Sequence, residues 1–325
     1  MKPKKEGGHT PKLIMINIKR ILCPTDLSPY SGNAVRYALA LSRAHNAELI
    51  LLHCMDETDA DEELGLLESS LLEHINPTDL IGARWRAVVA PADHVDEEIM
   101  RQAQVERVDL IVMRSRRRPH RAALLGSTAE SVCRSAPCPV LVMHSDEREF
   151  VNHNLRVDLK RVLVAYDFSD YSELALKYGL SIAQEHQAEL HLLHVLPPRS
   201  VNDPEIAWYP LQGESAYHTA ARRLQRIVPD EVHLWCDVKT AVSEGNAYRE
   251  ILSYAEKNEI NLISVGAHGA GFGMRALFGS NVDRILRQAP CPVLVARPLK
   301  PRVLLTRLQD FQGVQAGLVH SAQAV

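Results

Sequence analysis

Long apolar runs, aromatic rings and net charge are all scarce in this chain of 325 residues. No stretch approaches the ~18 consecutive apolar residues that a membrane-spanning helix needs. The basic start, MKPKKEGGHTPKLIMINIKR, holds an apolar run only from Leu13 to Ile16, too short for the core of a secretion signal. A net charge of −3 supplies no basic field, so neither nucleic acid nor an anionic membrane is an expected partner. The cysteines, Cys23, Cys54, Cys133, Cys138, Cys236 and Cys291, show no C-x-x-C spacing, and several sit inside apolar runs. They read as small core residues of a reduced compartment, which makes the cytoplasm the expected location. The phosphate loop G-x-x-x-x-G-K-[ST] is absent, and no Ser-His-Asp or paired-carboxylate arrangement stands out as a catalytic centre.

What is present is a chain written twice. KRILCPTDLSPYSGNAVRYALALSRAHNAELILLH (19–53) aligns without a gap over KRVLVAYDFSDYSELALKYGLSIAQEHQAELHLLH (160–194), with close to half the positions identical. Further on, RSAPCPVLVMH (134–144) lies over RQAPCPVLVAR (287–297). The order of matching segments is preserved, so this is a tandem duplication whose second copy is longer in its middle. Each copy alternates strand and helix. RILCPT and RVLVAY are apolar runs that stop at Asp and Ser. From Ser28 or Ser169, as N-caps, an apolar rhythm near 3.6 follows, in copy two through Leu174, Leu176, Tyr178, Leu180, Ile182 and Ala183. AELILLH and AELHLLH read as second strands, RWRAVVA and EVHLWCDV as third strands, DLIVM and NLISVG as fourth, and CPVLVM and CPVLVA as last. VDEEIMRQAQVE and AYREILSYAEKN read as helices after the third strands. Strands this apolar, separated by helices, predict an α/β fold with parallel sheets covered on both faces, doubly wound in two tandem domains.

One stretch of copy two, GAHGAGFGMRALFGS (266–280), holds five of the sixteen glycines. It lies between a strand ending near Val265 and a helix starting near Gly279-Ser280. Loops at the carboxyl ends of parallel strands form the ligand crevice of such sheets, and glycines let the backbone approach a ligand closely. Gly279-Ser280 would offer amides and a hydroxyl at a helix N-terminus, a natural phosphate site. A flexible surface loop is the competing reading. GFGMRA (271–276) matches G-x-G-x-x-A, but it does not follow the first strand of a βαβ unit and is a chance match.

A third spacing fits in full: Gly266, two residues, Gly269, nine residues, Gly279, Ser280. Together with AYDFS after the first strand, LLHV after the second and APCPVLV at the end, this chain resembles a tandem universal stress protein, and G-x2-G-x9-G-S is the motif of that family's ATP-binding branch. The resemblance implies two five-stranded parallel sheets of order 3-2-1-4-5 with helices on both faces. It also implies that the last strands of the two copies pair edge to edge. The expected domains are an N-terminal tail (1–18), a first domain (19–146) with a degenerate loop, a linker (147–159), a second domain (160–299) with the intact loop, and a C-terminal tail (300–325). By the same resemblance the cofactor is ATP, with or without Mg2+. Ala165, Asp167 and the Val195 backbone line its adenosine end, and Gly266, His268, Gly269, Gly279, Ser280 and Asn281 surround its phosphates. Asp167 also reads as a turn-former after a strand.

Copy one departs from this pattern. Arg114 and Arg117 stand where Gly266 and Gly269 do, and the spacer is one residue shorter, although Asp26, Gly126 and Ser127 remain. Domain one is therefore expected to be empty of ATP. The arginines of 114–121, with His120, read either as a solvated loop or as a patch for phosphate or an acidic partner. His191 and His194 have metal-like spacing, yet three apart on a strand they point to opposite faces. His53 and His194 repeat at one strand end and read as structural or pocket-wall residues. Cys138 and Cys291, each between two prolines, read as packing. The resulting expectation is a stress-response protein whose second domain binds ATP and acts as a nucleotide-dependent regulatory or interaction module, with no metal site. The alternatives are a slow ATPase or adenylyl-transfer enzyme in the same crevice, with Arg275 as its nearest cation in the sequence, and a nucleotide-free scaffold. The partner classes left open are an unidentified protein and a second copy of the chain.

Overall fold

The strands of each repeat are short apolar runs that alternate between two buried faces. Ile21, Leu22 and Cys23 of β1 (Arg20–Thr25) are fully buried, but Ile21 and Cys23 belong to one core cluster and Leu22 to the other. Val162, Leu163 and Val164 of β6 (Arg161–Ala165) divide in the same way. Successive strand side chains point to opposite faces, so unbroken apolarity is what a sheet covered on both sides requires. The computed structural model describes residues 16–28, 31–55, 69, 80–115, 126–144, 147–152, 154–198, 213–268 and 279–297.

Repeat one continues through α1 (Gly32–Ala44), β2 (Glu48–Met55), β3 (Trp85–Pro91), α2 (Val95–Val105), β4 (Leu110–Arg114), α3 (Ser127–Ser135) and β5 (Val140–Met143). Repeat two follows β6 with α4 (Asp170–His186), β7 (Glu189–Leu196), α5 (Gly213–Ile227), β8 (Val238–Glu244), α6 (Ala247–Lys257), β9 (Leu262–Gly266), α7 (Ser280–Gln288) and β10 (Val293–Ala296). Within each repeat the order is 3-2-1-4-5 and the pairing parallel, so β1 lies beside β4 and β6 beside β9. At the centre β5 and β10 pair antiparallel, Val293 with Val142, Leu294 with Leu141 and Val295 with Val140. The two expected sheets are thus one ten-stranded sheet. One face is covered by α1, α4 and α5, and the other by α2, α3, α6 and α7.

Three local readings of the sequence need correction. EVHLWCDV is not the third strand of copy two. Asp230–Leu234 form a 3-10 turn after Pro229, with Val232 and Cys236 buried and Leu234 82% exposed, and the strand begins only at Val238. The alternation that resembles a strand arises because a tight turn also buries residues at irregular, short intervals. Ser169 does cap α4, accepting the Ser172 N–H at 3.2 Å, but Ser28 does not cap α1. Its carbonyl instead closes a turn onto the Ser31 N–H and hydroxyl, and the helix starts at Gly32. Finally, the amphipathic helix α5 stands where no element was assigned.

The segment joining the repeats is packed. Val151 bridges Val157, and Phe150, Val151, Leu155 and Leu159 are buried. Phe150 donates its N–H to the Tyr37 hydroxyl at 2.9 Å and meets that ring edge-on. Arg148 donates to the Ile260 carbonyl at 2.7 Å, so the strap holds both repeats. The residues 298–325 and 1–15 lie outside the described ones.

Candidate functional site

The carboxyl ends of β6 and β9 are neighbours in the sheet, with Val164 in register with Ser264, so the turns that follow them share one crevice. Ala165 closes β6, and Asp167 follows in a turn whose next residue, Phe168, is left-handed at φ 63. Leu27, at the same place in repeat one, is left-handed at φ 56. Left-handed backbone at a bulky residue is strained, and both repeats keep it at this crevice. Asp167 Oδ1 accepts the N–H of Ser169 at 3.1 Å and its hydroxyl at 2.5 Å. The turn-forming role is therefore real, whatever else the carboxylate meets. Val195 lies half-buried near the end of β7, beside the same mouth.

Gly266 and Gly279 are glycine for different reasons. A Cβ at Gly266 would come within 2.7 Å of the backbone and Cβ of Tyr171 in the first turn of α4, so close helix packing forbids a side chain there. In repeat one Arg114 takes this place, and α1 starts later along the alignment than α4 does, at Gly32 rather than at the counterpart of Asp170. Gly279, the N-cap of α7, has φ −57, and a Cβ there would make only ordinary contacts, 3.6 Å to Val282 and 3.9 Å to the Ala267 carbonyl. Among the described residues, nothing requires glycine at that position.

Gly279 also gives α7 no side-chain cap, so among the described residues its first amides have no capping side chain, and Ser280 and Asn281 are exposed beside them. His268 stands at the β9 end of that loop. Its Nδ1 is buried with no hydrogen-bond partner among the described residues, and its ring meets Tyr171 edge-on at 4.9 Å. Burial, aided by the Arg297 guanidinium, holds this imidazole below its usual pKa and so uncharged at neutral pH. The structure thus gathers Ala165, Asp167, Val195, Gly266, His268, Gly279, Ser280 and Asn281 around one sheet end. Gly269 and Arg275 lie outside the described residues.

The degenerate loop of repeat one differs in chemistry as well as length. Gly126 caps α3 as Gly279 caps α7, but its N–H is donated to the Ser115 hydroxyl at 3.2 Å. Ala267, aligned with Ser115, has no hydroxyl to offer.

Sequence reasoning missed two residues at the second crevice. Arg223 of α5 lies 3.9 Å over the Phe168 ring, a cation held at the Asp167 end. Arg297, at the end of β10, reaches from beside His268 to the Cys133 carbonyl of repeat one at 2.9 Å. The 3.6-residue apolar rhythm of 213–227 was the available signal for Arg223; nothing in the sequence marks Arg297. His194 donates from Nδ1 to the Tyr166 carbonyl at 2.7 Å, and His53 does the same to Thr25 at 3.0 Å, so both tie adjacent strand ends. His191 instead meets the Tyr254 hydroxyl at 3.0 Å, on α6. Cys138 and Cys291 are buried free thiols whose pKa values burial pushes far up, which makes them packing groups. Among the described residues, no helix is long and apolar enough to cross a membrane.

Comparison with known proteins agrees with this architecture. The family model described as the Universal stress protein family matches residues 17–144 and again 158–297. A universal stress protein of Mycolicibacterium smegmatis is 27% identical over 297 residues, covering 86% of this chain and 97% of its own. One from Methanocaldococcus jannaschii is 30% identical over 144 residues, 44% of this chain and 84% of its own. Among solved structures, a universal stress protein from Archaeoglobus fulgidus superposes with a TM-score of 0.59 at 24% identity, covering 86% of this chain and 98% of that one. A functionally unknown protein from Pseudomonas aeruginosa gives 0.64 at 23% identity, covering 87% and 93%.

Proposed function

This chain belongs to the universal stress protein family, and on that premise we propose that its second domain binds ATP and acts as a nucleotide-dependent regulatory or interaction module. The observation that carries the reading is Gly279. Its backbone and the described residues around it would accept a side chain, yet glycine stands at an uncapped helix N-terminus inside G-x2-G-x9-G-S. A close-approaching anion explains both features at once. The neutral His268, just after β9, would add a hydrogen-bonding group without a charge cost. The Asp167 turn, with Val195 beside it, would line the ribose and base. Of this chain's described residues, Gly279, Ser280 and Asn281 would hold phosphate, and Arg297 lies close enough to His268 to shift its pKa.

The test is calorimetry of ATP on the full chain, run beside a phosphate-release assay. One nucleotide bound per chain without turnover is the expected result. Turnover would turn the module into an enzyme, and no binding would leave the scaffold reading.

A further inference from the structure

The two repeats also meet away from the crevice, at the carboxyl ends of α1 and α4. His45 caps α1 and His186 ends α4, and they are the same position of the two repeats, in AHNAE and EHQAE. Their rings face each other at 6.0 Å, nearly perpendicular. Glu185, which copy one replaces with Ala44, adds a carboxylate whose Oε2 lies 3.0 Å from His45 Nδ1. One ligand atom from each of His45, Glu185 and His186 lies within 4.8 Å of the others.

We propose that His45, Glu185 and His186 form a site for a divalent transition-metal ion of the Zn2+ class, joining the first repeat to the second. Three observations support this. His186 Nε2 is buried and has no hydrogen-bond partner among the described residues, so a lone pair or an N–H is left unused where such groups are normally satisfied. The Glu185 side chain is 25% exposed on an otherwise exposed residue, and among the described residues it has no lysine or arginine partner. The helix carboxyl ends add two further negative dipole ends to the same spot, which leaves it short of positive charge.

The donor set decides the metal. Two nitrogens and one oxygen suit Zn2+, or Co2+ and Ni2+ as probes, whereas Mg2+ and Ca2+ prefer all-oxygen shells. Three protein ligands leave a fourth position for water. A cavity of about 30 Å3, lined by His45, His186, Leu41, Ile182, Leu141 and Leu294 among others, adjoins the site and has room for a water or two but no larger ligand. Ligand–ligand spacings in a tetrahedral Zn2+ site are shorter than 4.8 Å, so the ion would draw the three groups together and fasten α1 to α4. Asp109, also at the cavity, is already engaged by the Lys19 and Arg20 N–H groups at 2.8 and 3.0 Å.

The experiment uses the full, untagged chain stripped with a chelator and titrated with Zn2+ by calorimetry and with Co2+ by visible absorption. The expected result is one Zn2+ per chain and Co2+ bands of a tetrahedral site. His186→Gln and His45→Gln should each weaken Zn2+ at least tenfold and abolish those bands. No Zn2+ uptake by the stripped parent overturns the proposal, as does unchanged uptake in both variants. Should a variant misfold by circular dichroism, NMR of the parent decides. Zn2+ must shift the ring signals of His45 and His186, and shifts confined to other histidines overturn the site.

Discussion

Leu141 and Leu294 pair with each other across the β5–β10 junction, and they are the same position of the two repeats. Val140 pairs with Val295 and Val142 with Val293, so the register is symmetric about this leucine pair. Both leucines are almost fully buried and belong to one core cluster that runs through both repeats.

Leu294→Ala is expected to lower the unfolding free energy by ~2–5 kcal/mol, the range for deleting a buried leucine side chain. Because the core crosses the junction, the parent should unfold in one transition. Chemical denaturation followed by both far-ultraviolet dichroism and tryptophan fluorescence checks this. Two separate transitions in the parent would mean that the repeats are energetically independent.

Hydrogen exchange gives a second view of the junction. The amides of Leu141 and Val142, and of Leu294 and Val295, should exchange through global unfolding alone and rank among the slowest of the chain. Fast exchange in both strands would deny the pairing.

The two crevice glycines should respond oppositely to the same substitution. Gly266→Ala puts a methyl group against the Tyr171 backbone and should destabilise the fold by ~1–3 kcal/mol through overpacking. Gly279→Ala should leave the melting temperature nearly unchanged and weaken ATP about tenfold or more, which is ~1.4 kcal/mol or more of binding energy. A stable Gly279→Ala variant with parental ATP affinity would remove the main support for the phosphate loop.

Nucleotide binding should be confined to the second repeat. The Gly126 amide is already taken by Ser115, Arg114 replaces the packing glycine, and the spacer is shorter. Saturating ATP should therefore slow exchange around Gly279-Ser280 and leave Gly126-Ser127 unaffected. Calorimetry returning two equivalent sites would contradict this.

Acid should destabilise the second repeat through His191. Its side chain is 1% exposed, and burial lowers its pKa below the unfolded value of 6.5. The Glu189 carboxylate 3.6 Å from Nε2 pulls the other way, while Lys239 and Arg161 reinforce the lowering. With the folded pKa depressed, the unfolded chain takes the proton first. The neutral ring's stability is then complete above about 6.5 and declines as pH falls below it. His191→Phe should flatten the dependence of the melting temperature on pH below that value, and a slope equal to the parent's would place the effect elsewhere.

The fold was legible in the sequence wherever burial on both faces forced continuous apolar runs. RILCPT is strand β1 residue for residue, and the second, fourth and last strands lie within a residue or two of their runs. The third strand of copy two was not, because VKTAVSE is an edge strand with few buried residues and shows no apolar run. Helix α5 has an amphipathic rhythm but sits in the longer middle of copy two, where no counterpart in copy one pointed to it. At the site, spacing identified the phosphate-side residues. It could not distinguish Gly266, which serves helix packing, from Gly279, because that difference exists only in three dimensions. Arg297 and the His45–Glu185–His186 cluster bring together residues more than a hundred positions apart, and neither follows a local pattern.

Carrying both partners of the central strand pair on one polypeptide removes protein concentration from their association. Each half always finds the other at the same high effective concentration, however little of the protein a cell contains. It also lifts a constraint that identical copies would impose, since a change in one half is not repeated in the other. Ser115 and Arg114 show that freedom in use: one half has given up its open helix end while the shared sheet stays whole.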